Sequence, residues 1–299
     1  MDAEAPEPAG ERAAFLAGLA SLDTTCVRTA SDDRTVTLDC VGADDAVVHE
    51  VALSVTPDGD LLSVTDDMTS RIFPNPYGNG SGDMTPWAPS ADVVADAFSA
   101  ATGTDVDGAD LFSMTKPVGF PQESTVGRWH LYGVIWERDA GDSQSLRFAP
   151  RISATRDDAG LDEHPHLTGT APYTLDRDTL EAWGEEQGLE VSTVSPRYAA
   201  VFDGSDFSVS TYLPTWSFTE IRWDRDLGAW PAAAGDAGFL PEGSREEIVT
   251  WVEAQDGPAA ATVIDGIPVR LLTPESGNGN PPQGPYTTVT LGWRADDRG

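Results

Sequence analysis

Strand-forming segments in this chain come as pairs around short turns, and that pairing restricts the fold more than any other feature. Residues 129–137 pair with 145–155, residues 198–202 with 207–213 around Asp203-Gly204-Ser205, and residues 261–264 with 267–272 around Asp265-Gly266. Neighbouring hairpins can only build antiparallel sheet, because parallel strands need long crossovers. A terminal strand over 286–293 follows a second long loop at 275–285.

The first hairpin carries a covalent expectation. Residues 24–30 and 35–41 read as strands around the polar turn Ser31-Asp32-Asp33-Arg34. If the hairpin centres on Asp33, position i pairs with 66 − i, which sets Cys26 opposite Cys40. Cross-strand neighbours have Cβ atoms about 4.5 to 5.5 Å apart, close enough for small adjustments to reach disulfide geometry. A disulfide between the only two cysteines is therefore expected, and with it an extracytoplasmic location.

Helix signals separate the hairpins. Phe15, Leu19 and Leu22 form one stripe over 11–22. Ser90 reads as a cap before Val94, Phe98 and Ala101, and Gly103 as the stop. Asp178 with Glu181 opens a third segment that ends at Gly188. Ser244 with Glu247 reads as a capping box before Ile248, Trp251 and Val252, with Gly257 at the end. The order helix, hairpin, further strand recurs from about residues 11, 91, 179 and 245. The fold class that follows is α+β, with antiparallel sheets built from hairpins and about four helices packed on one face. Two similar halves are one way of arranging it, since 180–202 and 248–270 can be laid side by side.

The domain reading is a flexible tether at 1–10, an N-terminal α+β subdomain at 11–73, a Gly/Pro-rich linker or long loop at 74–89, and a C-terminal α+β domain at 90–299. A single domain continuous across 74–89 is the alternative. The polar tether resembles the start of a mature exported protein whose leader has been removed.

Charge narrows the partners. Fifty acidic residues face 18 basic ones, for a formal net charge of −32. Nucleic acid and anionic membranes are disfavoured by such a field, whereas basic proteins, peptides and cations are attracted. The longest apolar run, 13–22, is too short to span a membrane. Near absence of lysine beside abundant Asp, Ala and Gly points to a high-GC bacterial source or a salt-adapted one; in the latter the cytoplasm is the alternative location.

Three constellations could carry chemistry. Asp105, Asp107 and Asp110 surround Gly108 as oxygen ligands do in calcium loops, although in a chain so rich in Asp a plain solvated turn is the better explanation. His164 and His166 flank Pro165, whose extended backbone would point both imidazoles to one side, toward a transition metal. Gly141-Asp142-Ser143 has the look of a nucleophile's neighbourhood but sits in a turn whose own chemistry accounts for it. Trp87, Trp216, Trp223 and Trp230 lie in or near loops, where an aromatic rim could serve recognition.

No G-x-S-x-G, P-loop, H-E-x-x-H or dinucleotide fingerprint occurs, which leans the reading away from catalysis. The functional expectation is an extracytoplasmic acidic binding or inhibitory protein that recognises a basic protein or peptide. A secreted metal-assisted or carboxylate-dependent hydrolase and a calcium-stabilised surface component are the alternatives.

Overall fold

The computed structural model describes residues 9–31, 33–45, 47–70, 88–106, 122–139, 146–160, 182, 185–186, 197–202, 205–212, 215–222, 243–273 and 287–291. The chain divides into two units, Met1–His166 and Leu167–Gly299. Each contains one antiparallel sheet. The α+β class holds.

In the first unit, helix α1 (Gly10–Gly18) and a single 3-10 turn (Ala20–Leu22) lead into β1 (Thr25–Ser31), β2 (Val36–Ala43), β3 (Val47–Val55) and β4 (Leu61–Ser70). Helix α2 (Ala88–Thr102) then precedes β5 (Gln122–Val126), β6 (Trp129–Asp139) and β7 (Leu146–Arg156). The sheet order is β1-β2-β3-β4-β7-β6-β5, so two meanders meet through their last strands, β4 and β7. Strands on either side of the 74–89 segment thus share one sheet. Residues 71–87 lie outside the described residues.

Directly paired residues share a face, and successive residues alternate. One face presents Leu38, Cys40, Val51, Leu53, Val64, Leu131, Ile152 and Ala154, which join Phe15, Leu19, Leu22, Val94 and Phe98 in a single core. Trp129 lies in this core, its ring edge-on to Phe98 at 4.8 Å between centroids. Such a pair adds about 1 kcal/mol beyond its buried area. The stripe Phe15, Leu19 and Leu22 is buried as its spacing predicts, although the last turn tightens to 3-10.

Two glycines permit the packing. A Cβ on Gly18 would stand 2.6 Å from the Ala97 Cβ, so the end of α1 crosses α2 only because hydrogen occupies that position. Gly59, in the β3–β4 turn, has φ +93°, and a Cβ there would meet the Ala9 carbonyl oxygen at 2.3 Å. The start of α1 is tied to this same turn: the Arg12 amide donates to the Gly59 carbonyl at 2.9 Å, and the Leu61 amide to Glu11 Oε2 at 2.8 Å. Asp58-Gly59-Asp60 is the hairpin turn its composition implies.

The second unit contains β8 (Arg197–Phe202), β9 (Ser205–Tyr212), β10 (Thr215–Arg222), helix α3 (Ser244–Glu253), β11 (Ala259–Ile264), β12 (Ile267–Leu272) and β13 (Thr287–Leu291). Its order is β11-β12-β13-β10-β9-β8, again two meanders joined antiparallel through their last strands. All three strand pairs and the terminal strand read from sequence are present.

About four helices were expected, and three stand in the described residues. The remaining segment, 178–188, lies outside them apart from residues 182, 185 and 186. Two caps differ from expectation. Helix α2 starts at Ala88, so Ser90 lies inside it. At α3 the N-cap is Gly243 with no side-chain cap bond, and the Ser244 hydroxyl donates to Asp265 Oδ2 at 2.5 Å. Tertiary carboxylates have captured both serines, and local capping loses that competition.

Candidate functional site

The described residues concentrate their ionisable chemistry on β3 and β4. His49 pairs across the ladder with Met68, on the face that carries the helices, and its side chain has no solvent exposure. Its Nδ1 lies 2.8 Å from Asp66 Oδ2, and Asp66 is equally buried. On the other side of the ring, Nε2 stands 3.8 Å from Asp44 Oδ2, an ion-pair distance too long for a hydrogen bond. Asp44 sits in the β2–β3 turn, where its Oδ1 accepts from the Val47 amide at 2.7 Å and its Oδ2 from the Ser90 hydroxyl at 2.5 Å. One imidazole therefore links a turn, a central strand and the first turn of α2.

Electrostatics decides its charge state. Burial alone lowers the His49 pKa, but the Asp66 and Asp44 carboxylates outweigh it and raise it from 6.5 to about 9. Burial raises the Asp66 pKa, with Asp67 and Glu50 adding to the rise and the His49 cation opposing it. His49 is thus an imidazolium at neutral pH whose Nδ1–H donates to Asp66. His49 and Asp66 are both fully buried, whereas Asp44 keeps part of its side chain at the surface.

The opposite face of the same sheet is also buried, but with polar groups: Asp39, Glu50, Ser63, Thr65, Asp67, Arg151 and Ser153. Arg151 grips Asp67 with two parallel bonds, Nε to Oδ1 at 2.7 Å and Nη2 to Oδ2 at 2.5 Å. Glu50 is the cross-strand neighbour of Asp67, so the guanidinium offsets two adjacent carboxylate positions. Between α2 and the sheet lies an apolar cavity of about 20 Å³ lined by Val94, Phe98, Val106, Leu131 and Ile152, room for about one water-sized guest.

An exposed arrangement stands at the sheet margin. Thr125 Oγ1 lies 3.4 Å from His130 Nδ1, and His130 Nε2 lies 2.9 Å from Asp157 Oδ1. Hydroxyl, imidazole and carboxylate are in the order of a proton relay. Thr125 is internal to the chain, however, and has no terminal amine to activate it. His130 and Asp157 are both about half exposed or more, and such a pair is worth roughly 0 to 1 kcal/mol.

Of the residues singled out from sequence, Cys26 and Cys40 are joined, in the register expected, with a Cα separation of 4.0 Å. Asp105 is exposed just beyond α2, while Asp107 and Asp110 lie outside the described residues. His164, His166, Trp87, Trp223, Trp230 and the Gly141-Asp142-Ser143 turn lie outside them as well. Trp216 falls in β10, paired with Thr211. Among the described residues no group of three or more His, Cys, Asp or Glu side chains could hold a metal ion, and no helix is long and apolar enough to cross a membrane. The His49 cluster was not read from sequence. Its only signal was a histidine among the apolar alternate positions Val47, Val51 and Leu53 of the strand Val47–Val55.

Fold and site together define an α+β protein of antiparallel sheets, pinned by one disulfide and one buried imidazolium. Comparison with protein-family models, with curated proteins and with solved structures gives no match in any of the three.

Proposed function

We propose that the protein is an extracytoplasmic acidic binding or inhibitory protein whose surface recognises a basic protein or peptide. The observation that carries this reading is where the acidic excess lies. Glu246, Glu247, Glu253 and Asp256 are exposed on α3 and just after it, Asp96 on α2, and Asp58, Asp60 and Asp158 at turns of the first unit. The charges withdrawn from the surface balance one another: Arg12, Arg151, Arg270 and His49 are at most 5% exposed, and so are Asp39, Glu50, Asp66 and Asp67. The surface field therefore keeps the negative sign of the composition, and it favours cationic partners.

The disulfide supports the compartment, because such bonds persist where the surroundings are oxidising. Titration of the protein with polylysine and with a neutral polypeptide, at low and at physiological salt, tests the reading. Polylysine should bind and weaken as salt rises, since exposed charges are screened within about 8 Å at physiological ionic strength. Affinity indifferent to salt, or equal for the neutral chain, would overturn it.

A further inference from the structure

We propose that the outer edge of β11 is the docking strand for a basic, extended segment of a partner polypeptide, which joins the second sheet as an added strand. The inference rests on the reading of the protein as an acidic binder and names the place and mode of that binding.

β11 ends its sheet, pairing with β12 on one side and, among the described residues, with nothing on the other. Its hydrogen-bond phase follows from the turn. Asp265 (φ 50°) and Gly266 (φ 78°) form a two-residue loop with both central residues left-handed, the geometry of a type I′ hairpin. Ile264 and Ile267 therefore exchange both their backbone bonds, and so in alternation do Thr262 with Val269 and Ala260 with Leu271. The Thr273 amide donating to the Pro258 carbonyl at 2.7 Å continues the same phase. The amides and carbonyls of Ala259, Ala261 and Val263 consequently point away from the sheet.

Edges of this kind are normally blunted by charge, proline or a bulge. β1 has a bulge between Arg28 and Ala30 and an exposed Arg28, and β5 carries exposed Glu123. β8 opens with Arg197. β11, Ala-Ala-Ala-Thr-Val-Ile, has no charge, no proline and an unbroken register, and Ala259, Ala260, Thr262 and Val263 are partly exposed.

Charge selects the occupant. Exposed Glu253 and Asp256 precede the strand and exposed Asp265 follows it, so an incoming strand meets carboxylates at both ends. A second copy of this chain, paired antiparallel through β11, would set Asp256 of one copy beside Asp265 of the other and add a further net charge of −32. A strand with flanking lysines or arginines finds complementary charge instead.

The test is calorimetric titration of the full chain with a short synthetic peptide alternating lysine with valine. The same peptide with consecutive backbone amides N-methylated, so that neither of its edges keeps its donors, serves as comparison, and both are repeated on Ala261→Pro. That substitution removes one outward amide and leaves the β12 ladder intact. N-methylation and Ala261→Pro are each expected to weaken binding by about tenfold or more. If Ala261→Pro does not fold, the two peptides on the native chain decide.

Equal, salt-sensitive binding of both peptides would overturn the edge proposal and leave the acidic-binder reading standing. Absence of any binding at low salt would remove both. Self-association of the native chain that Ala261→Pro abolishes would assign the edge to a second copy and overturn the basic-strand occupant.

Discussion

His49 Nδ1 and Asp66 Oδ2 lie 2.8 Å apart with neither side chain reaching solvent, between two strands of the first sheet. Burial alone would keep the imidazole neutral, yet the Asp66 carboxylate, joined by Asp44 at 3.8 Å, outweighs burial and raises it to its cation. Compensation is partial: among the described residues, His49 Nε2 and Asp66 Oδ1 are buried without hydrogen-bond partners. Such a site is stable as a unit and costly to break in half.

Stability should therefore fall with alkaline pH. A histidine whose folded pKa is raised from 6.5 to about 9 contributes fully below 6.5 and loses that contribution as pH rises through 9. The loss is of order 3 kcal/mol at most, by the scale of about 1.4 kcal/mol per pKa unit. The sequence holds a single lysine and both cysteines are bridged, so few other groups titrate in that window. Denaturant midpoints of the native chain between pH 6.5 and 9.5 measure it. His49→Gln should lower stability at pH 6 by about 3 kcal/mol and flatten the alkaline slope, because Asp66 is left buried and unpaired. An unchanged slope in that variant would assign the pH dependence elsewhere.

Reduction of the Cys26–Cys40 bridge should lower stability by about 3 kcal/mol, the loop-entropy value for a closure of this size. The two residues are 14 apart in sequence, and Cys40 is in the core. Double replacement by alanine, followed by chemical unfolding, gives the figure without reductant. No change would mean that β1 is held by packing and ladder bonds alone.

Gly59→Ala should cost more than a typical turn substitution. The residue is left-handed at φ +93°, and the new Cβ would meet the Ala9 carbonyl, part of the strap that ties α1 to the β3–β4 turn. A loss of about 2 kcal/mol or more is expected from strain and clash together. Gly103→Ala supplies the control: it too is left-handed, at φ +68°, but nothing lies within 4 Å of its Cβ, so only the conformational part remains. Thermal unfolding of the two variants separates the terms.

Much of the fold was legible because its signals are local. The Asp265-Gly266 turn is one of the few residue pairs that close a two-residue hairpin well, so β11 and β12 could be paired without a structure. The same symmetry argument about Asp33 placed Cys26 opposite Cys40, and the register broke into a bulge only beyond Arg28. β3 and β4 were less legible. β3 is buried at all nine positions, so it shows no clean alternation, and Asp66 and Asp67 sit inside β4 like turn residues. The serines at Ser90 and Ser244 looked like caps for a sound local reason, and were redirected by Asp44 and Asp265, residues 46 and 21 positions away.

What the sequence determined by itself was the α+β class, the antiparallel pairing of neighbouring strands, the disulfide and the sign of the surface field. Each depends on groups within about one hairpin of each other, or on a sum over the chain that no fold can alter. What only the tertiary structure decided was the joining of β4 to β7 and β10 to β13, the close crossing of Gly18 on Ala97, and the assembly of His49, Asp66, Asp44 and Ser90. Those meetings join residues from separate elements, and the energy that selects them is burial shared across a whole face, which no local window of sequence contains.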